Sequence, residues 1–108
     1  MALEITPREL AQLLANGHSI RLIDVRQPWE NQLAKLAGCL LIPLNEIPPR
    51  AAEIPAENAT MIVVYCHHGV RSMSAADYLL RLGYFNVRSL AGGIDAWSCE
   101  VDPSLPRY

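Results

Sequence analysis

Apolar positions change period from one segment of the chain to the next, and the changes mark out the elements. In "ITPRELAQLLANG", Leu10, Leu13 and Leu14 share one helical face. Thr6, Pro7 and Glu9 read as a capping box with proline in the first turn, where its missing N–H leaves no bond unmade, and Gly17 supplies the stop. "RLIDV" predicts a short buried strand closed by the polar "RQPWEN", "PWENQLAKL" a short helix, and "CLLIP" an apolar strand cut by Pro43. Pro48, Pro49 and Pro55 leave room only for a short helix around Arg50 to Ile54.

"TMIVVYC" is continuous and β-branched, the pattern of a strand buried on both faces of a parallel sheet. After it, Ala75, Ala76, Leu79, Leu80 and Leu82 recur at helical spacing up to Gly83. "NVRSL" predicts a strand, "AGGIDAWSCE" a turn and a helix, and residues 98–108 an extended tail in which Val101, Leu105 and Tyr108 strap it to the body. Strand and helix alternating in this way predict one α/β domain over residues 1–108 with a mainly parallel sheet.

Composition narrows the function classes. A net charge of −2 supplies no basic field for nucleic acid. The longest apolar run, Leu36 to Leu44, is broken by Gly38 and Pro43, so no membrane span is expected. "MALEITPREL" lacks the basic and apolar regions of a secretory signal. Cys39, Cys66 and Cys99 are an odd set without paired spacing, which points to free thiols in a reducing cytoplasm.

One stretch concentrates chemistry: "VVYCHHGVRS", Val63 to Ser72. Cys66 ends the strongest strand and precedes a helix, the position where open α/β sheets bind ligands. A free thiol is only a few per cent thiolate at neutral pH, so a nucleophilic cysteine needs its anion stabilised. The loop offers backbone N–H groups at a helix start, Gly69 for a tight backbone approach, and the charge of Arg71, which could also fork two hydrogen bonds to an anionic substrate. Cys39 and Cys99 have no such loop and read as small buried hydrophobes. Cys66, His67 and His68 are all competent metal ligands, but three consecutive residues do not readily turn onto one ion, and no metal is expected.

"IDVRQPWE" (Ile23 to Glu30), "CHHGVRS" (Cys66 to Ser72) and "LAGGIDAW" (Leu90 to Trp97) together resemble the rhodanese-like sulfurtransferases, in the family's order and across nearly the whole chain. The resemblance implies a three-layer fold, a five-stranded, mainly parallel sheet with helices on both faces. It implies no cofactor, only a persulfide carried on the catalytic Cys66, with His67, His68, Gly69, Val70, Arg71 and Ser72 binding substrate. Four residues separate Cys66 from Arg71, the short loop of the sulfurtransferases; the cell-cycle phosphatases that share the fold have five. Asp24, Arg26, Glu30, Gly92, Gly93 and Trp97 are then structural, with Arg26 looking like the partner of Glu30. Where thiosulfate-preferring enzymes tend to carry a basic residue after the cysteine, this chain has His67.

The implied reaction moves a sulfane sulfur from a small anionic donor or a protein persulfide to a thiol or protein acceptor. Two rival readings stay open at this point. One is a persulfide-carrier or regulatory module with little activity alone, and the other is a phosphatase or arsenate reductase. Oligomeric state is not legible.

Overall fold

The computed structural model describes residues 2–57 and 59–108. Five parallel strands form one sheet in the order β1-β5-β4-β2-β3. They are β1 Leu3–Ile5, β2 Ile20–Asp24, β3 Leu40–Leu41, β4 Met61–Tyr65 and β5 Val87–Leu90. The helices are α1 Pro7–Ala15, α2 Pro28–Leu33, α3 Ile47–Arg50, α4 Val70–Arg81 and α5 Gly93–Glu100. None of the described helices is long and apolar enough to cross a membrane.

Side chains on a strand alternate between faces, so the continuous apolar β4 feeds two cores at once. Ile62, Val64 and Cys66 pack with Ala75, Ala76 and Leu79 of α4 and with Ile47 of α3. Val63 and Tyr65 pack on the other face with Leu10 of α1 and with Ile94 and Trp97 of α5. The three layers that the family resemblance implies are therefore present.

Several local expectations need correcting. β1 carries no periodic signal, being three residues long, and forms because it lies along β5 with Leu3 opposite Arg88. The short helix around Arg50 to Ile54 is instead a run of single turns, 3₁₀ at Leu44–Glu46, α3, then 3₁₀ at Ala51–Glu53. Pro48 and Pro49 fit there because the first turn of a helix needs no N–H. α5 continues through Glu100, so the tail begins at Val101 rather than at residue 98. Val101, Leu105 and Tyr108 pack against the α1–α5 core, as the strap reading predicts.

The strand order positions the site. From β2 the chain moves outward to β3, and from β4 it moves the opposite way to β5. The crevice between the C-terminal ends of β2 and β4 is the switch point where such sheets bind ligands. The loop after β2 leads to Arg26 and Glu30, and the loop after β4 begins with Cys66.

Candidate active site

Cys66 sits at the floor of that crevice with 1% of its surface exposed. Its Sγ accepts hydrogen bonds from the backbone N–H of Gly69 at 3.1 Å and of Ser72 at 3.3 Å. The Ser72 hydroxyl lies 3.5 Å from Sγ, beside the Ser89 hydroxyl at 2.8 Å. Both serines are fully buried. Ser72 is in the first turn of α4, where N–H groups lack intrahelical acceptors, so the helix start itself faces the sulfur.

Two glycines make this loop possible. Gly69 adopts φ 105°, in the left-handed region that favours glycine, and in doing so turns the chain from the loop into α4. Gly93 opens α5 against the loop's outer side. A Cβ there would fall 2.5 Å from the Cys66 carbonyl oxygen and 2.3 Å from that of His67. The N–H groups of Ile94 and Asp95 instead reach those two carbonyls at 2.9 and 3.1 Å. The loop is thus held from outside by α5 while its own N–H groups point at sulfur.

Arg71 does not offer its fork to the crevice. Its Nη1 and Nη2 donate to Glu30 Oε1 and Oε2 at 2.7 and 3.0 Å. Glu30 also accepts from the Gln27 N–H at 3.0 Å and from the Tyr108 hydroxyl at 2.7 Å. The Arg71 hydrogen bonds, helped by the other two donors, pull the Glu30 carboxyl down to about 2 despite its burial. Arg26, expected beside Glu30, pairs with Asp24 instead. Its Nε and Nη2 reach the two carboxylate oxygens at 2.9 and 2.8 Å, and both side chains are fully buried. The two residues are adjacent on one face of an extended chain, so the nearest carboxylate wins. Tyr108 links the pairs, accepting from Arg26 Nη1 at 2.8 Å while donating to Glu30. Burial and the Glu30 acceptor push the Tyr108 hydroxyl up to about 12, so it stays a donor.

Rings form one wall. The His67 imidazole stacks on His68 at 3.9 Å and on Tyr108 at 4.0 Å, and Trp29 meets Tyr108 edge-on at 5.7 Å. Burial, with the neighbouring His68 charge, lowers the His67 pKa and favours the neutral ring. His67, His68 and Asp95 each place a ligand atom within 4.8 Å of the others. The two imidazole rings are stacked, only 20° from parallel. Arg107 also holds Asp95 Oδ1 at 2.8 Å.

A profile of the rhodanese-like domain matches residues 6–100. The chain belongs to the rhodanese-like domain family. It is 39% identical over 98 residues to a sulfurtransferase of Allochromatium vinosum, covering 91% of this chain and 90% of that one. It is 37% identical to the probable adenylyltransferase/sulfurtransferase MoeZ of Mycobacterium tuberculosis, covering 96% of this chain but only 26% of that protein. The human single-domain sulfurtransferase TSTD1 superposes with a TM-score of 0.79 at 28% identity, over 93% of this chain and 98% of its own. This rhodanese-like domain is thereby a member of the sulfurtransferase family.

Of the residues singled out in the sequence, Cys66, Gly69 and Ser72 meet at the sulfur, and Arg71 and Glu30 meet beside it. Val70 stands at the mouth, 79% exposed, and Trp97 fills the core beneath α5. Gly92 caps α5 in a left-handed turn. Cys99, read as a buried hydrophobe, is exposed on α5, and Cys39 is half-buried. Two participants escaped sequence reasoning. Ser89 looks like any small strand residue, and the reach of Tyr108 into the site depends on how the tail folds back. The available signal was a lone aromatic closing a proline-bearing tail.

Proposed function

We propose that this rhodanese-like domain is a sulfurtransferase that carries its sulfur as a persulfide on Cys66. The observation that carries the reading is the pair of backbone N–H groups on a buried Sγ, set in a loop with four residues between Cys66 and Arg71. The Cys66 thiolate attacks the outer sulfur of a donor, a new S–S bond forms, and the donor's S–S bond breaks with its electron pair leaving on the departing group. An acceptor nucleophile then takes the outer sulfur and returns Cys66 as thiolate. No net oxidation occurs at either step, so no redox cofactor is needed.

The N–H groups of Gly69 and Ser72 hold the inner sulfur, and those of Val70 and Arg71, first-turn donors of α4, are left for the outer one. His67 and His68 line the pocket rather than move protons, because the attacking group is already an anion. In the cell the acceptor is a thiol or a protein. In the MoeZ relative, a probable adenylyltransferase/sulfurtransferase, a region like this one makes up about a quarter of a longer chain, which supports the sulfurtransferase reading.

Incubation with a sulfane-sulfur donor followed by cyanide tests the reading. Thiocyanate should form with the wild type and fall to background in Cys66→Ser. Thiocyanate from Cys66→Ser at the wild-type rate would contradict it. Release of phosphate from an aryl phosphate, without thiocyanate, would move the assignment to a phosphatase.

A further inference from the structure

The charges around the mouth of the crevice are already paired inside the protein. Arg71 has 34% of its side chain exposed, yet its two terminal nitrogens are both on Glu30, whose own side chain is only 4% exposed. Glu30 cannot let go readily, because the Gln27 N–H and the Tyr108 hydroxyl fix the same two oxygens. Drawing Arg71 away would leave a buried carboxylate without its countercharge, which costs far more than one contact to a hydrated anion returns. The Nε edge of Arg71 remains, but the pair as a whole carries no net charge. On the opposite rim Asp95 is matched by Arg107, with His68 3.5 Å away. His67, Tyr108, Trp29 and the exposed Val70 add ring and aliphatic surface close by.

Resting on the sulfurtransferase reading, we infer that Glu30 determines donor specificity. By holding Arg71 in a neutral ion pair it withholds the cation that a dianionic donor such as thiosulfate needs. It thereby selects a persulfide whose organic part is uncharged. With such a donor, R–S–SH, the Cys66 thiolate forms a bond to the terminal sulfur, the donor's S–S bond breaks, and RS⁻ leaves with the electron pair. The products are the Cys66 persulfide and one thiolate, so charge and sulfur balance. With thiosulfate the same attack would expel sulfite, and the whole complex would hold three negative charges without a free cation facing them. Glu30 is a positioning residue here, acting through Arg71.

The test compares single-turnover sulfur loading of Cys66, read by intact mass, from thiosulfate and from 2-hydroxyethyl persulfide. Donors differ in intrinsic reactivity, so the readout is the ratio of the two rate constants in Glu30→Gln divided by that ratio in the wild type. Glutamine keeps an oxygen for the Gln27 N–H and removes the charge, and its amide NH2 replaces the oxygen that accepts from Arg71 Nη2 and the Tyr108 hydroxyl, which frees Arg71 further. The expected result is a shift of about tenfold toward thiosulfate at low salt, shrinking as salt screens the unmasked Arg71. A double ratio of one, or a shift away from thiosulfate, would overturn the inference. Wild-type protein gives an arm that needs no variant to fold. Its thiosulfate loading should be unchanged or slightly faster with added salt, and a marked slowing would reveal a net cationic mouth and overturn the inference too. If neither donor loads sulfur onto the wild type, the sulfurtransferase reading itself falls and takes this inference with it. If both load and the double ratio stays at one, only the specificity claim fails.

Discussion

Asp24–Arg26 and Glu30–Arg71 are both two-pronged carboxylate–guanidinium pairs, and Tyr108 touches one member of each. They differ in where they lie. The first closes within two residues of chain at the end of β2 and is sealed from water, with Arg26 Nη2 also on the Ala34 carbonyl at 2.5 Å and Asn31 on Asp24 at 3.0 Å. The second spans 41 residues, tying α2 to the first turn of α4, and its arginine is partly exposed. A sealed pair can only hold the fold, whereas a pair at the rim can also decide what charge a ligand meets. On the proposed reading, burial alone separates the same chemistry into architecture and specificity.

The strongest way to break this comparison is to attack the sealed pair. Arg26→Met leaves the Asp24 carboxylate buried without its countercharge, and urea unfolding should show a loss of about 3–5 kcal/mol. A loss under about 1 kcal/mol would place the pair among ordinary surface contacts.

Acid separates the two pairs more finely. Glu30 has an ordinary carboxyl value of 4.5 in the unfolded chain and about 2 in the folded one. The folded state thus prefers the charged form, and its contribution is fully present above about pH 5 and lost as pH falls toward 2. That contribution is on the order of 2 kcal/mol, taken below the full shift because Arg71 borders water. The stability gap between wild type and Glu30→Gln should therefore close across this window in pH-dependent denaturation. A gap that stays constant from pH 6 to pH 2 would show that Glu30 is not held in its charged form by Arg71.

The smallest effect belongs to the link. Tyr108→Phe keeps the stack on His67 and loses only the hydroxyl bridge, which should cost about 1–2 kcal/mol. Tyr108→Ala should cost more, since the ring contact goes as well. Equal losses in the two variants would mean that the stack contributes nothing.

The fold was legible where hydrophobic period is strong, in α1, β4 and α4, because burial of a stripe or a continuous strand is written in local residue types. It was not legible in β1, where three residues acquire structure only from the neighbouring edge of β5. The loop around Cys66 could be read for the same local reason: cysteine, glycine and helix start lie within seven residues, Cys66 to Ser72. The Glu30 partner could not. The family resemblance pointed to Arg26, four residues away, while the fold delivers Arg71 from across the switch point. Contacts made by closing the sheet leave no trace in spacing, and the role of Tyr108 was hidden by the same cause.

On the proposed reading, loop geometry rather than exposure selects the sulfur-bearing thiol. Cys99 is the exposed cysteine and Cys66 the buried one, so access alone would direct a donor to Cys99. Wild-type protein loaded with 2-hydroxyethyl persulfide, digested without reductant and mapped by mass, decides between them. The account predicts one added sulfur on the peptide carrying Cys66 and none on those carrying Cys39 or Cys99. Sulfur on Cys99 with Cys66 unmodified would contradict it.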